Sequence, residues 1–279
     1  MLRYLLFIFI NINIFFPLGI KALAIPQSSD LLAKSGTGIS NSIHINPALL
    51  MQQNTYVSFS KNKWFGGLEG QKISILLKNK TLLSFETLTV EDIELRDEIA
   101  NDTPLGFFGV YWYAWEANRR IDIKNENFNI GYKVKLNFSK LYTETMHGYT
   151  IDIGFLKTIS NRLKIGFVIK NFGEESVGSL RAGTISVFGL GSSYLTLNDK
   201  LLVMSDIISQ DNNNLIKVAF ETKLPYLNFI LGGTISNSYN DFSIGLKLDY
   251  QGWSFGYGNL NHDNPSLGNP TSITLTKYF

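Results

Sequence analysis

The chain has 279 residues, of which 44% are hydrophobic, 13% aromatic and only 17% charged, and it contains no cysteine. Without cysteine there is no disulfide staple, thiolate metal centre or cysteine nucleophile. The formal net charge is +2; Arg3 and Lys21, in a leading segment free of acids, supply that excess. The remainder is neutral, so it has no means of gripping a nucleic-acid backbone.

Met1 to Tyr4 is a short basic start, Leu5 to Leu18 an apolar stretch, and Ala22-Leu23-Ala24 a small-x-small cleavage pattern. Together they predict an export signal over residues 1–24 that is removed. Asn11 and Asn13 interrupt the apolar stretch, which is also shorter than the ~20 residues a spanning helix needs. No later run is long enough to cross a bilayer as a helix. The exported chain is expected to be either soluble or a β-barrel.

Residues 25–53 come next, with one or two helical turns expected between Ser29 and Gln53. From residue 54 to 279 the sequence alternates. Phe128, Ile130, Tyr132, Val134, Leu136 and Phe138 share one side, while Asn129, Gly131, Lys133, Lys135 and Asn137 share the other. Successive strand side chains point to opposite faces, so this is a strand with one oily and one wet face. The period returns in Leu163 to Lys170 and in Asp241 to Tyr250.

The same template marks about fourteen strands of ~10 residues, the length of a tilted bilayer-crossing strand. They centre near Val57, Ser74, Ser84, Tyr111, Tyr132, Ile153, Phe167, Gly189, Met204, Val218, Leu231, Gly245, Phe255 and Thr274. Connections at one end are short: Lys78-Asn79-Lys80, Ser160-Asn161, Asn198-Asp199, Pro225 and Gln251-Gly252. Those at the other end are expected to be longer: Glu91 to Pro104, Ser139 to His147, Phe172 to Gly183 and Asn261 to Pro270. Short periplasmic turns and longer outer loops are the habit of outer-membrane barrels. The connection from Glu116 to Glu126 does not fit the rule.

Alternation alone does not say which face is outside. About fourteen strands closed into one barrel enclose more width than side chains fill, so the oily face is expected to meet lipid. Tyr149, Tyr226, Tyr250, Trp253 and Tyr278 lie near predicted strand ends, where aromatic girdles meet headgroups. The expected fold is therefore all-β: a transmembrane antiparallel up-and-down barrel in the cell outer membrane, with a short N-terminal plug. Tyr278 and Phe279 end the last strand and resemble the signal by which barrel-assembly machinery recognises its clients.

Ile43 to Leu50, with Asn46-Pro47-Ala48 at its centre, resembles the element before the first strand of FadL-like and PorV/PorQ outer-membrane barrels. The order of later features extends the resemblance over residues 35 to 279: Asn129 to Leu136, then Asp152-Ile153-Gly154, then Leu163 to Gly173 closing on Lys170-Asn171-Phe172-Gly173, then the terminal Phe. It is closest to the PorV/PorQ branch. It implies a fourteen-stranded barrel with its N-terminal segment in the periplasmic mouth, and a role in type IX secretion, docking secreted proteins at outer loops. Leu49 stands where the family often has Gly.

No catalytic, cofactor or metal site is expected. His44, His147 and His262 lack ligand or triad spacing, and Asp211 to Asn214 lacks the spacing of a calcium loop. The one charge constellation is on the wet faces: Lys133, Lys135, Lys164, Lys170, Lys217 and Lys247 with Asp152, Glu221 and Asp249. Rings of charge set pore selectivity, but the acids nearby favour mutual pairing over an anion path. Three functions compete. The first is the secretion-linked docking barrel, whose partners are outer-membrane lipid and secreted proteins. The second is a FadL-like transporter of hydrophobic small molecules, and the third an exported soluble β-rich binding protein.

Overall fold

The computed structural model describes residues 25–50, 54–96, 102–121, 123, 127–210, 213–237, 239–262 and 268–279; the expected export signal, residues 1–24, lies outside them. The chain runs up and down through β1 (Tyr56–Lys63), β2 (Glu69–Leu76), β3 (Thr81–Leu95), β4 (Gly106–Ile121), β5 (Phe128–Leu141), β6 (Glu144–Thr158) and β7 (Leu163–Val177). After a four-residue β8 (Leu180–Gly183) it continues with β9 (Val187–Thr196), β10 (Leu201–Gln210), β11 (Asn213–Thr222) and β12 (Leu227–Ser236). The last strands are β13 (Asn240–Tyr250), β14 (Trp253–His262) and β15 (Thr271–Tyr278). Each strand pairs antiparallel with its neighbours, and β1 pairs with β15 from Tyr56↔Tyr278 to Lys63↔Thr271, closing the sheet. β8 is a short hairpin on the end of β7, so fourteen strands form the barrel. All fourteen expected strand centres fall on barrel strands.

The faces are decided as the lipid reading requires. Phe59, Trp115, Leu136, Ile207 and Ile244 are outward and exposed, while Ser58, Ser60, Asn62, Ser74, Asp206 and Ser243 are inward and buried. A soluble sandwich would bury the first group; here its side chains form a continuous outer belt. Where the inward face turns apolar, something packs on it. Val168 meets Leu31, Ile39 and Ile45, Leu156 meets Ala48 and Leu49, and Leu76 and Leu82 meet Leu50.

That filler is the N-terminal segment. Ser28 caps a one-turn helix, α1 (Ser29–Ala33), its Oγ accepting from the Leu31 N–H. The segment then turns and ends in a 3-10 turn at Pro47–Leu49. α1 lies against β12, β13, β14 and β15, and the 3-10 turn against β4, β5 and β6, so the segment crosses the lumen from wall to wall. Glycines on the inward face make room. A Cβ on Gly131 would stand 2.3 Å from the Pro47 carbonyl carbon, and one on Gly154 2.0 Å from Asn46 Oδ1. Burying side chains such as Leu32, Ile39 and Leu50 stabilises the seat by roughly 1.5–3 kcal/mol each.

Several connections differ from expectation. Ser139 to His147 is no long loop: β5 and β6 run on to Leu141↔Glu144 and meet in a tight turn, Tyr142 taking φ 54°. Phe172 to Gly183 is mostly strand, because β7 continues past Asn171 (φ 57°) and folds back as β8. Glu91 to Leu95 completes β3 after a bulge at Asp92. Glu116 belongs to β4, which extends to Ile121, and so the apparent exception between Glu116 and Glu126 shortens to residues 122–127. In each case the strand pairing runs on beyond the residues whose alternation marked the strand.

Tyr278 also differs from a girdle residue. It shares the inward parity of Thr274 and Thr276, and its ring meets Tyr56 edge-on at 5.8 Å. Lys277, outward beside it, places its Nζ 4.8 Å from the centre of the Trp253 ring, an arrangement suited to the headgroup level. Phe279 continues the sheet through its N–H to the Thr55 carbonyl.

A side chain at Gly131 tests the seat. Gly131→Val is expected to expel residues 25–50 while the barrel stays closed: heat-modifiable migration on gels is retained, and protease cuts the released segment.

Candidate lumen site and its N-terminal plug

The inward charges follow the sheet as cross-strand neighbours. Lys72 on β2 stands opposite Glu86 on β3, Glu116 on β4 opposite Lys135 on β5, and Lys133 on β5 opposite Asp152 on β6. Their side chains join into one network. Lys72 pairs with Glu86 and lies 3.1 Å from Glu116; Lys135 lies 2.8 Å from Glu116 and 3.3 Å from Glu86; Lys133 lies 3.2 Å from Asp152. Asp152 also accepts from the Asn171 N–H at 2.7 Å. Removing one partner of a buried pair costs about 3–5 kcal/mol, because the other charge is left in a low-dielectric setting.

A second cluster stands across the lumen at the end where β1 begins and β15 ends. Lys34 of the segment bonds Asp30 at 2.7 Å and Glu221 of β11 at 2.9 Å. Burial opposes its charge, but the Asp30 and Glu221 carboxylates override it and hold the ammonium above the usual lysine range. Asp30 is likewise kept below the usual carboxylate range, Lys34 outweighing burial.

The remaining contacts hold the segment by its backbone. Asn46 donates through Nδ2 to the carbonyls of Ile39 (2.7 Å) and Phe155 (3.0 Å), and its Oδ1 accepts from the Ala48 N–H. Lys133 Nζ donates to the His44 carbonyl at 2.8 Å and Lys217 Nζ to the Ser35 carbonyl at 2.9 Å. Asp206 accepts from the N–H groups of Gly38 and Ile39. Asn46, Pro47 and Ala48 thus form the end of the plug fixed to β5 and β6.

On either side of the plug is a cavity. The one toward the far rim, about 110 Å³, is lined by apolar side chains, Ile39, Ile45, Val168, Val187, Ile208 and Leu215, interspersed with charged ones including Lys133, Lys135, Lys170 and Lys217. The other, about 260 Å³, lies toward the rim where β1 begins and β15 ends, here the terminal rim, and is lined by hydroxyls such as Ser58, Ser60, Ser254 and Thr276, with Glu221, Lys247 and Tyr278. The plug lies between them, and His44 and Lys72 line both.

Of the residues singled out in the sequence, Lys133, Lys135, Asp152, Lys170 and Lys217 therefore gather at the far-rim cavity, and Glu221 and Lys247 at the other. Lys247 and Asp249 pair with each other at 3.4 Å near the rim. Lys164 lies at the start of β7, away from both cavities. Sequence reading missed Lys72, Glu86, Glu116, Asp30, Lys34 and Asp206. The strand members had a signal: each has an outward apolar neighbour, Ile73 beside Lys72, Phe85 beside Glu86, Trp115 beside Glu116 and Ile207 beside Asp206. His147 is on β6 and His262 on β14, beside Asp241. Among the described residues no group of three metal-ligating side chains comes together.

A closed antiparallel barrel with an oily exterior and a plugged, charged lumen is a barrel of the outer-membrane type. Solved structures agree in fold. The chain is similar to the CymD monoaromatic hydrocarbon channel, with a TM-score of 0.68 and 10% identity over 91% of this chain and 97% of that one. It is similar to a Pseudomonas aeruginosa FadL homologue, with a TM-score of 0.64 and 9% identity over 91% and 99% of the two chains. The Ralstonia pickettii toluene transporter TbuX gives a TM-score of 0.60 and 10% identity over 90% and 98%. No family model matches the chain, and no curated protein sequence does.

His44 provides a pH test of the plug. Burial, and then the charge of Lys72, push its imidazole down to about 3 from an ordinary value of 6.5. A released plug would take up the proton first. This contribution to docking is complete above pH 6.5 and is lost as pH falls from there toward 3. Protease protection of residues 25–50 is expected to weaken across that window, and His44→Gln to remove that part of the dependence.

Proposed function

We propose that this protein is an outer-membrane conduit for a small hydrophobic or amphipathic molecule, held shut by its own N-terminal segment. The observation that carries this reading is the position of the plug. It is a segment seated by hydrogen bonds and ion pairs between two cavities of one lumen, and it needs only to shift for the cavities to join. The far-rim cavity, lined by apolar side chains and lysines together, suits a molecule with an oily body and a polar end. The terminal rim is periplasmic in this reading, the far rim is outside, and residues 1–24 are the export signal. The fold likeness to hydrocarbon channels and toluene transporters supports the same class of cargo.

Uptake by intact cells tests it. A host lacking its own hydrophobic-solute porins is given this protein, and entry of labelled toluene and of a labelled fatty acid is measured. Expected are a rate above the empty-vector control and a change in that rate on deleting residues 25–50. Entry equal to the control for both probes would reject the conduit.

The PorV/PorQ resemblance supports a second reading, a docking platform for secreted proteins, and one feature favours it. β3 to β7 have 14 to 16 residues while β1, β2 and β15 have 8. The tall side ends in Glu91–Leu95, within the expected outer loop Glu91 to Pro104, and in the β7–β8 hairpin, within the expected outer loop Phe172 to Gly183; in this reading these two loops would meet the partner. Co-purification with secreted substrates in a host carrying the secretion machinery is its test; Tyr278 and Phe279 remain the proposed assembly signal in either reading.

A further inference from the structure

Asp206 on β10 and Lys217 on β11 are directly opposed in the sheet. Oppositely charged side chains across a ladder normally pair with each other. Here they do not: no ion pair joins them within 4 Å, and each is turned to the plug instead. Asp206 Oδ2 accepts from the Gly38 N–H at 2.6 Å and the Ile39 N–H at 3.1 Å. Lys217 Nζ donates to the Ser35 carbonyl at 2.9 Å. Both therefore grip one turn, Ser35 to Ile39, and grip it by backbone groups. Asp206 is fully buried, its second oxygen has no hydrogen-bond partner, and it lies over Gly191, where a Cβ would come within 2.1 Å.

We infer that Asp206 and Lys217 form an exchange latch: with the plug seated they hold its turn, and when the plug leaves they pair with each other. The physical reason is compensation. A plug held by a lone buried carboxylate would leave an unpaired charge on release, and that penalty would lock it in place. Two opposite charges side by side remove the penalty, because bonds to the plug are traded for an ion pair across the ladder. The plug is then held firmly yet freed at modest cost, as a conduit closed by its own chain requires. The inference deepens the conduit reading by naming what regulates the plug, but its test reads plug position and not transport, so the two fail separately.

The absence of cysteine makes the test clean. Thr37, fully buried in the gripped turn, is replaced in a Thr37→Cys reporter. The rate of its modification by a membrane-impermeant maleimide is measured for the full-length barrel in detergent and in vesicles. Asp206→Asn, placed in the reporter, is expected to raise the rate by about tenfold, the scale of losing a charge-assisted hydrogen bond, while Lys217→Met, which leaves Asp206 a lone buried carboxylate on the plug, is expected to keep the rate at or below the wild-type value. The double variant is decisive. If the two charges pair once the plug has left, each single variant loses that pair as well as its own grip. The double variant loses the pair only once. Its rate change is then larger than the product of the two single changes. Heat-modifiable migration confirms that each barrel is folded. A wild-type rate in Asp206→Asn would remove the latch. Single changes whose product equals the double would remove the exchange and leave two independent clamps.

Discussion

Closure of the sheet is the constraint from which the rest follows. A bilayer core offers no partner for a free N–H or carbonyl, so a spanning sheet must bond its last strand to its first. Here β1 and β15 do so over the whole of their eight residues. A closed cylinder separates two environments, and a strand period of two then sorts every residue to one or the other. Oily side chains go to lipid and polar ones to a lumen too wide for them to fill.

That width creates a second requirement. The lumen is crossed by charged groups that are costly to bury alone. The lysines and acids of β2 to β6 answer one another across the ladder, and the N-terminal segment answers Glu221, Asp206 and Lys217 with Lys34 and its own backbone. The plug is thus as polar in its attachment as it is apolar in its packing. Leu32, Ile39 and Leu50 fill space, while Asn46, Lys133, Asp206 and Lys217 supply direction. Attachment through hydrogen bonds and ion pairs has geometry, so it can be exchanged; a wholly apolar seat would offer no alternative partners.

The barrel is also uneven. The tall wall of β3 to β7 carries the charge network below and a free-standing sheet above, whereas the short wall of β12 to β15 receives α1. The 3-10 turn against β5 and β6 and the helix against β13 and β14 tie opposite walls together. The seat of the plug and the shape of the lumen are therefore linked where inward glycines admit it, at Gly131 and Gly154, at Gly189 and Gly191 under Ile39, and at Gly245 and Gly258.

By itself the sequence determined that the chain is built of many short strands, each with one oily and one wet face. Alternation is a local property, and in Phe128 to Phe138 or Asp241 to Tyr250 it is written residue by residue. It determined too that Asn46-Pro47-Ala48 begins something before the first strand. Only the tertiary structure decided which charges meet. The ion-paired couples among Lys72, Glu86, Glu116 and Lys135 are separated by 14 to 49 positions and become neighbours through register alone. Register likewise decided that Asp206 stands opposite Lys217, that Tyr278 turns inward and that the expected loop at Ser139 to His147 is a tight turn. Period tells a side chain which face it takes, but its partner depends on how adjacent strands align, and that alignment is fixed by the closing of the whole cylinder.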